Sequence, residues 1–366
     1  MKKKFFITSV FLTVLGIGFN LIPKNQSTGK DIARLQSFFS PPYKIDKKFK
    51  SMMGPYKTQK IYLEDPEKQE LLWITGYQAE IVDAEKKTSM PPDFMCHSNL
   101  DYDVKKHKLL FGWKQYPSPR LFTLSQGRLD VKFPEGYGIP IVSGRALTLN
   151  TQALNHNIEN PNIKVRVKSS VQYIRDRDLK EPIHPLTMSA ATGLVLVDGK
   201  DGVFDIGSPD PKIHGQGSHK GEAVNFSEHY VKDHFGRKFS AHWVVPPGKH
   251  EYRSLVTRFM RLPYDTTLHY AAAHLHPFAE SVELWDRTEN KSVLKITAKN
   301  RNDGIGLTQV NSYSNNKGVP LYQYHQYDLI TIYNNLSQKN QTVMSVMFLY
   351  IEDKEFKKPK LSSGFF

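Results

Sequence analysis

The chain carries one cysteine, Cys96, in 366 residues. No intramolecular disulfide can form, so stability has to come from burial or from a bound metal. A sustained 3.6-residue apolar period is also missing, which leaves no basis for a helical domain. No Gly-x-Ser-x-Gly element is present and Cys96 has no identifiable base beside it, so serine, cysteine and paired-carboxylate hydrolases find little support. Acidic residues are the minority charge, 36 against 50 Lys and Arg, for a formal net charge of +14. Those cations are scattered rather than clustered, which argues for a soluble basic surface and against a nucleic-acid partner.

Met1-Lys2-Lys3-Lys4 precedes an apolar run, Phe5 to Ile22, broken only by Thr8, Ser9, Thr13 and Asn20. This is the pattern of an export signal, or of a single N-terminal anchor. Residues 1–24 are therefore expected to be a signal peptide or anchor, and the mature protein to be exported, periplasmic or secreted. It would touch the membrane only through that segment if uncleaved, and it is expected to be a monomer.

The length suits two domains. Residues 25–57, polar and Lys-rich with Pro41-Pro42, read as a lead-in linker. Short β-like runs follow, among them Leu71-Leu-Trp-Ile-Thr-Gly-Tyr, Leu109-Leu-Phe-Gly-Trp and Ile163-Lys-Val-Arg-Val-Lys, separated by Pro, Gly, Asp and Asn. The expected fold class is all-β: two tandem antiparallel, jelly-roll-like β-sandwiches over 58–178 and 179–356. The boundary is set by the charged stretch from Asp176 to Thr187, with Pro182 and Pro185. A long Gly-, Asp- and His-rich loop is expected over 199–237. Its histidines, His214, His219, His229 and His234, match no closed zinc pattern.

The stretch that stands out is Ala271-Ala-Ala-His-Leu-His-Pro. In a strand, residues i and i+2 point to one face, so His274 and His276 would present two imidazoles side by side, with Leu275 turned inward. That is half of a metal site; the plainer alternative is a pair of packed or surface histidines.

The order of pieces in the second half is Val245-Pro-Pro-Gly, then Ala272-Ala-His-Leu-His, then a final strand Met344-Ser-Val-Met-Phe-Leu-Tyr. This resembles the copper type II, ascorbate-dependent monooxygenases, the family of peptidylglycine α-hydroxylating monooxygenase and dopamine β-monooxygenase. The resemblance implies a copper held by His274, His276 and Met344, with Met347 as the other methionine at hand. Imidazole with soft thioether suits copper cycling between Cu(I) and Cu(II), and does not suit Zn, Mg or Ca. In the first half, Pro134-Glu-Gly-Tyr-Gly and the pieces Met95-Cys-His-Ser and Leu154-Asn-His-Asn are similar to the family's electron-supplying domain. The resemblance implies His97 and His156 as ligands there, with the third ligand replaced by Cys96 or lost, and His107 as another possible donor. The family's substrate-carboxylate arginine and tyrosine fall at Ala272 and Phe348, so a peptidylglycine substrate is not expected.

What the resemblance implies overall is one or two coppers facing a cleft between the sandwiches. The reaction would hydroxylate a C–H bond of a small organic substrate with O2 and ascorbate or another small reductant. Asn155, Asn157, Glu280 and Asp265 are candidates for orienting the histidines. Two other readings stay open. One is a non-catalytic extracytoplasmic copper-binding protein using the same site. The other is a metal-free envelope scaffold, which would place Trp73, Trp113 and Trp243 at an exposed patch.

Overall fold

The computed structural model describes residues 32–113, 118–197, 204 and 230–361. The protein is nearly all β, arranged in layered sheets. The expected signal or anchor segment lies outside the described residues, as do residues 199–203 and 205–229 of the expected loop, with His214, His219 and His229.

The first half packs the four-stranded sheet Tyr56–Ile61, Leu147–Ala153, Met95–Tyr102, Arg120–Ser125 against a larger central sheet. That central sheet runs Arg34–Phe39, Ile163–Arg175, Leu71–Asp83, Tyr137–Val142, His184–Thr192, Ser345–Glu352, Thr266–Leu275, Tyr313–Leu321. The second half covers the far end of it with Gly248–Leu255, Tyr327–Asn335, Ala279–Asp286, Lys291–Asn300, Leu307–Val310. The pairing along the central sheet is antiparallel except where His184 and Pro185 run parallel to Tyr137 and Gly138. The stretch that reads as a domain boundary therefore leads into a strand joining both halves in one sheet.

Strands Thr266–Leu275 and Ser345–Glu352 carry both cores. Tyr270, Ala272, Val346, Phe348 and Tyr350 face the first core; Ala271, Ala273, Leu275, Met347, Leu349 and Ile351 face the second. The two-residue side-chain period divides them. Burial on both faces is why these segments read as nearly unbroken apolar runs.

Two expectations are corrected. Residues 25–57 are not simply a linker, because Arg34–Phe39 and Tyr43–Ile45 pair with Ile163–Arg175, and Tyr56–Ile61 pairs with Leu147–Ala153. A sheet-edge strand tolerates the polar composition that disguised them, and Pro41-Pro42 marks the break between two of them. Leu109-Leu-Phe-Gly-Trp is not a strand, because it ends helix Val104–Phe111. The Asp103 carboxylate accepts from the amides of Lys105 and Lys106 at the start, and Gly112 closes the helix at φ 67. His107 and Phe111, four residues apart, are both buried on its inner face.

Tyr350 joins the layers: its ring meets Phe122, Phe133 and Tyr270, and its hydroxyl donates to the Leu121 carbonyl at 3.0 Å. Tyr350→Ala should destabilise the protein by about 3–5 kcal/mol, as for other large aromatic truncations in cores. A urea midpoint close to wild type would show that the two halves do not depend on this contact.

Candidate metal centre

A register shift between Leu268 and Tyr270 sets which face the histidines take. Past this bulge the even-numbered residues Tyr270 and Ala272 face the first core, and His274 continues their side. Leu275 enters the second core, so the chain presents His276 after it beside His274, with ring centroids 5.3 Å apart at 86°.

Met344 lies across from His276. The His276 amide donates to the Met344 carbonyl at 3.4 Å, and the Met344 side chain packs against the first core. The Tyr333 hydroxyl donates to the same carbonyl at 2.7 Å. Met347 is instead sealed in the second core opposite Ala273, on the face away from His274, which removes it as a ligand.

Other histidines arrive from elsewhere in the fold. His97, on strand Met95–Tyr102, is within electrostatic reach of His274; His156, just past strand Leu147–Ala153, is within reach of His276. His242, which precedes Trp243–Val245, was not singled out from sequence, yet its ring centroid lies 5.8 Å from that of His276. A lone histidine just before a short strand offers no local signal of this.

The hydrogen bonds indicate which nitrogens are available. His276 Nδ1 lies 3.2 Å from the Thr342 carbonyl. A carbonyl can only accept, so Nδ1 carries the proton and Nε2 keeps its lone pair. Nε2 has Ser51 Oγ at 3.4 Å. His274 Nδ1 and His156 Nε2 are buried without a hydrogen-bond partner. An unsatisfied buried group of this kind costs about 1–3 kcal/mol, which a bound cation would relieve.

Burial also keeps these rings neutral. It lowers His274 to about 3, helped by the nearby His97, His242 and Arg120, and lowers His97 to about 4, with Arg120 adding to the effect. His276 is held well below its ordinary value by burial and by its neighbours His274 and His242, and burial lowers His156. Neutral imidazole is the ligating form. Among the described residues, no three His, Cys, Asp or Glu side chains form a metal-holding group.

The remaining candidates fall elsewhere. His107 packs edge-on to Tyr102 and its Nδ1 bonds to the Asp103 carbonyl, so it belongs to the helix and its core. Cys96 is buried, and burial pushes its thiol up. None of the four proposed orienting residues has a hydrogen bond to these histidines. Asn155 holds Lys47 and Ile158, Asn157 holds Ile305, Glu280 holds Lys249 and Asn334, and Asp265 accepts from Gln323. The Thr342 carbonyl does that work for His276. Ala272 and Phe348 lie opposite each other, leaving neither a cation nor a hydroxyl at that position.

No family model and no curated protein matches the chain. Among solved structures it is similar to VP54 of PBCV-1, described as fitted into a reconstruction of the virophage Sputnik (8% identity, TM-score 0.33, covering 89% of this chain and 96% of that one). It is similar also to the major capsid protein P2 of bacteriophage PM2 (9%, 0.28, 87% and 97%). A third is PNGase F, a glycosylasparaginase from Flavobacterium meningosepticum (8%, 0.34, 88% and 96%). Superpositions this loose transfer no function.

Rings with a folded pKa below the unfolded 6.5 take up protons more readily when the chain unfolds. The metal-free protein should therefore lose stability as pH falls from about 6.5 toward 4, by up to about 1.4 kcal/mol per pH unit for each such ring. Urea midpoints from pH 7 to 5 measure this, and His274→Gln should flatten the slope. Equal slopes in both proteins would mean the ring is not buried neutral.

Proposed function

We propose that this protein is a copper-dependent, monooxygenase-like oxidoreductase, with one copper held by His274, His276 and Met344. The observation that carries the reading is a neutral imidazole pair facing the same side as a thioether, with one imidazole nitrogen left buried and unpartnered. Copper bound there would supply one-electron redox chemistry and activation of O2 toward a C–H bond of a small organic substrate, with ascorbate or another small reductant.

The chain's own part is positional. The Thr342 carbonyl leaves the Nε2 lone pair of His276 facing Ser51, and the strand pairing brings Met344 across from His276. His97 and His156 are the residues for a second copper that would supply the other electron. Ala272 and Phe348 are buried in the first core, so a substrate carboxylate finds no partner there. The signal-like N-terminus supports an exported, periplasmic or secreted location.

A non-catalytic copper-binding protein is the second reading, and a specific observation favours it. Among the described residues, no group of three His, Cys, Asp or Glu side chains gathers around His97 and His156, and His107 is held in its own helix core. The scaffold reading is weaker, because Trp73, Trp113 and Trp243 are all buried.

Copper content after loading and dialysis tests these readings. Two coppers per chain falling to one in His274→Ala/His276→Ala is the expected result, and it should come with ascorbate-dependent O2 uptake lost in the variant. One copper falling to none, without O2 uptake, would favour the binder. No copper in either protein would leave the scaffold.

A further inference from the structure

Strand His184–Thr192 is paired on both sides only at its start. On one side it runs antiparallel to Ser345–Glu352 from Leu186 to Thr192; on the other it meets Tyr137–Val142 only at His184 and Pro185. In an antiparallel pair, residues that exchange both main-chain bonds with the partner alternate with residues whose N–H and C=O point the other way. The Asp353 amide donates to the Pro185 carbonyl at 2.8 Å and the Gly193 amide to the Ser345 carbonyl at 2.9 Å, which makes the odd-numbered residues the ones bonded to Ser345–Glu352. The main-chain groups of Met188, Ala190 and Thr192 therefore point to the free edge, where nothing among the described residues bonds to them.

This edge forms one wall of a cavity of about 280 Å³, bounded by Trp113 and Pro119 from the first half and by Phe259, Met260 and Pro263 from the second. A row of main-chain donors and acceptors two residues apart matches one kind of ligand, another extended main chain. Asp353, also in the cavity wall, is already engaged: its carboxylate accepts from Trp113 Nε1 at 2.7 Å and from the Tyr264 hydroxyl at 3.2 Å. Arg261, which closes helix Thr257–Met260, lines the cavity too, but it is exposed and has no ion pair among the described residues. The Ser189 hydroxyl donates to the Met260 carbonyl, which sets Arg261 beside the middle of the free edge.

We propose that this cleft binds a short extended peptide carrying an acidic side chain, added as a strand to the edge at residues 188–192 with its carboxylate on Arg261. The inference stands apart from the copper reading. Main-chain bonds to Met188, Ala190 and Thr192 hold any extended peptide, and the guanidinium selects an acidic one. A C-terminal carboxylate on Arg261 would end the peptide at the middle of the edge and leave part of the row unbonded. The carboxylate therefore belongs to a side chain of a peptide that continues along the cleft.

The test follows binding to the full chain by fluorescence anisotropy, using a fluorescein-labelled heptapeptide in which Val and Thr flank a central Glu. An extended peptide turns alternate amides to opposite sides, so N-methylating one alternate set should weaken binding about tenfold, while methylating the other set should leave it nearly unchanged. Gln in place of the peptide's Glu, or Arg261→Gln in the protein, should each weaken binding several-fold, and the two together no more than either alone. Circular dichroism checks the fold of the variant. No binding of the unmodified peptide, equal affinities of the two methylated peptides, or unchanged affinity in Arg261→Gln would overturn the site. A peptide-free chain that sediments as a dimer split by the peptide would give the edge to a second copy and overturn it too.

Discussion

Strands Thr266–Leu275 and Ser345–Glu352 are buried on both faces, and most of the architecture depends on that constraint. One face supplies Tyr270, Ala272, Phe348 and Tyr350 to the first core, and the other supplies Ala271, Ala273, Met347 and Leu349 to the second. Because side chains alternate strictly, a register slip of one residue would exchange the two sets and disrupt both cores. The same register puts Met344 across from His276 and sends Met347 to the opposite face. A structural constraint thereby places the two methionines in different cores.

The candidate centre is electrostatically unusual because cationic forms are excluded at several neighbouring positions together. His97, His156, His274 and His276 all have their protonated forms disfavoured by burial, and several are near one another or near Arg120. Protonating one would therefore raise the energy of protonating the next. A protein gains little packing from imidazoles enclosed in this way, and the unpartnered nitrogens on His274 and His156 add a further penalty. Such arrangements are characteristic of ligand-binding sites, where a bound group compensates for them.

Several features were legible because they are local. Two-residue alternation identified Ile163–Arg175 and the all-β class, and the His274/His276 pairing followed from strand parity. Helix Val104–Phe111 was also locally encoded, through Asp103 at its start and Gly112 at its end, but its apolar end was read as a strand. Arg34–Phe39 and Tyr43–Ile45 were obscured for a different reason. Arg34–Phe39 is an edge strand that buries little, and Tyr43–Ile45, although Tyr43 and Ile45 are buried, is too short for its alternation to show.

The sequence by itself determined that His274 and His276 share a face, that burial rather than disulfides stabilises the chain, and that sheets build it. These follow from residue identity and short-range geometry. Only the tertiary structure decided that Met344 packs on the first core while Met347 is sealed in the second, that His242 lies beside His276, and that His107 belongs to a separate core. It also decided that the two halves share one sheet through His184–Thr192. Those outcomes depend on strand order, a bulge near His269 and pairings between residues far apart in the chain. Side-chain parity cannot supply them, because it says which way a residue points and not what it meets.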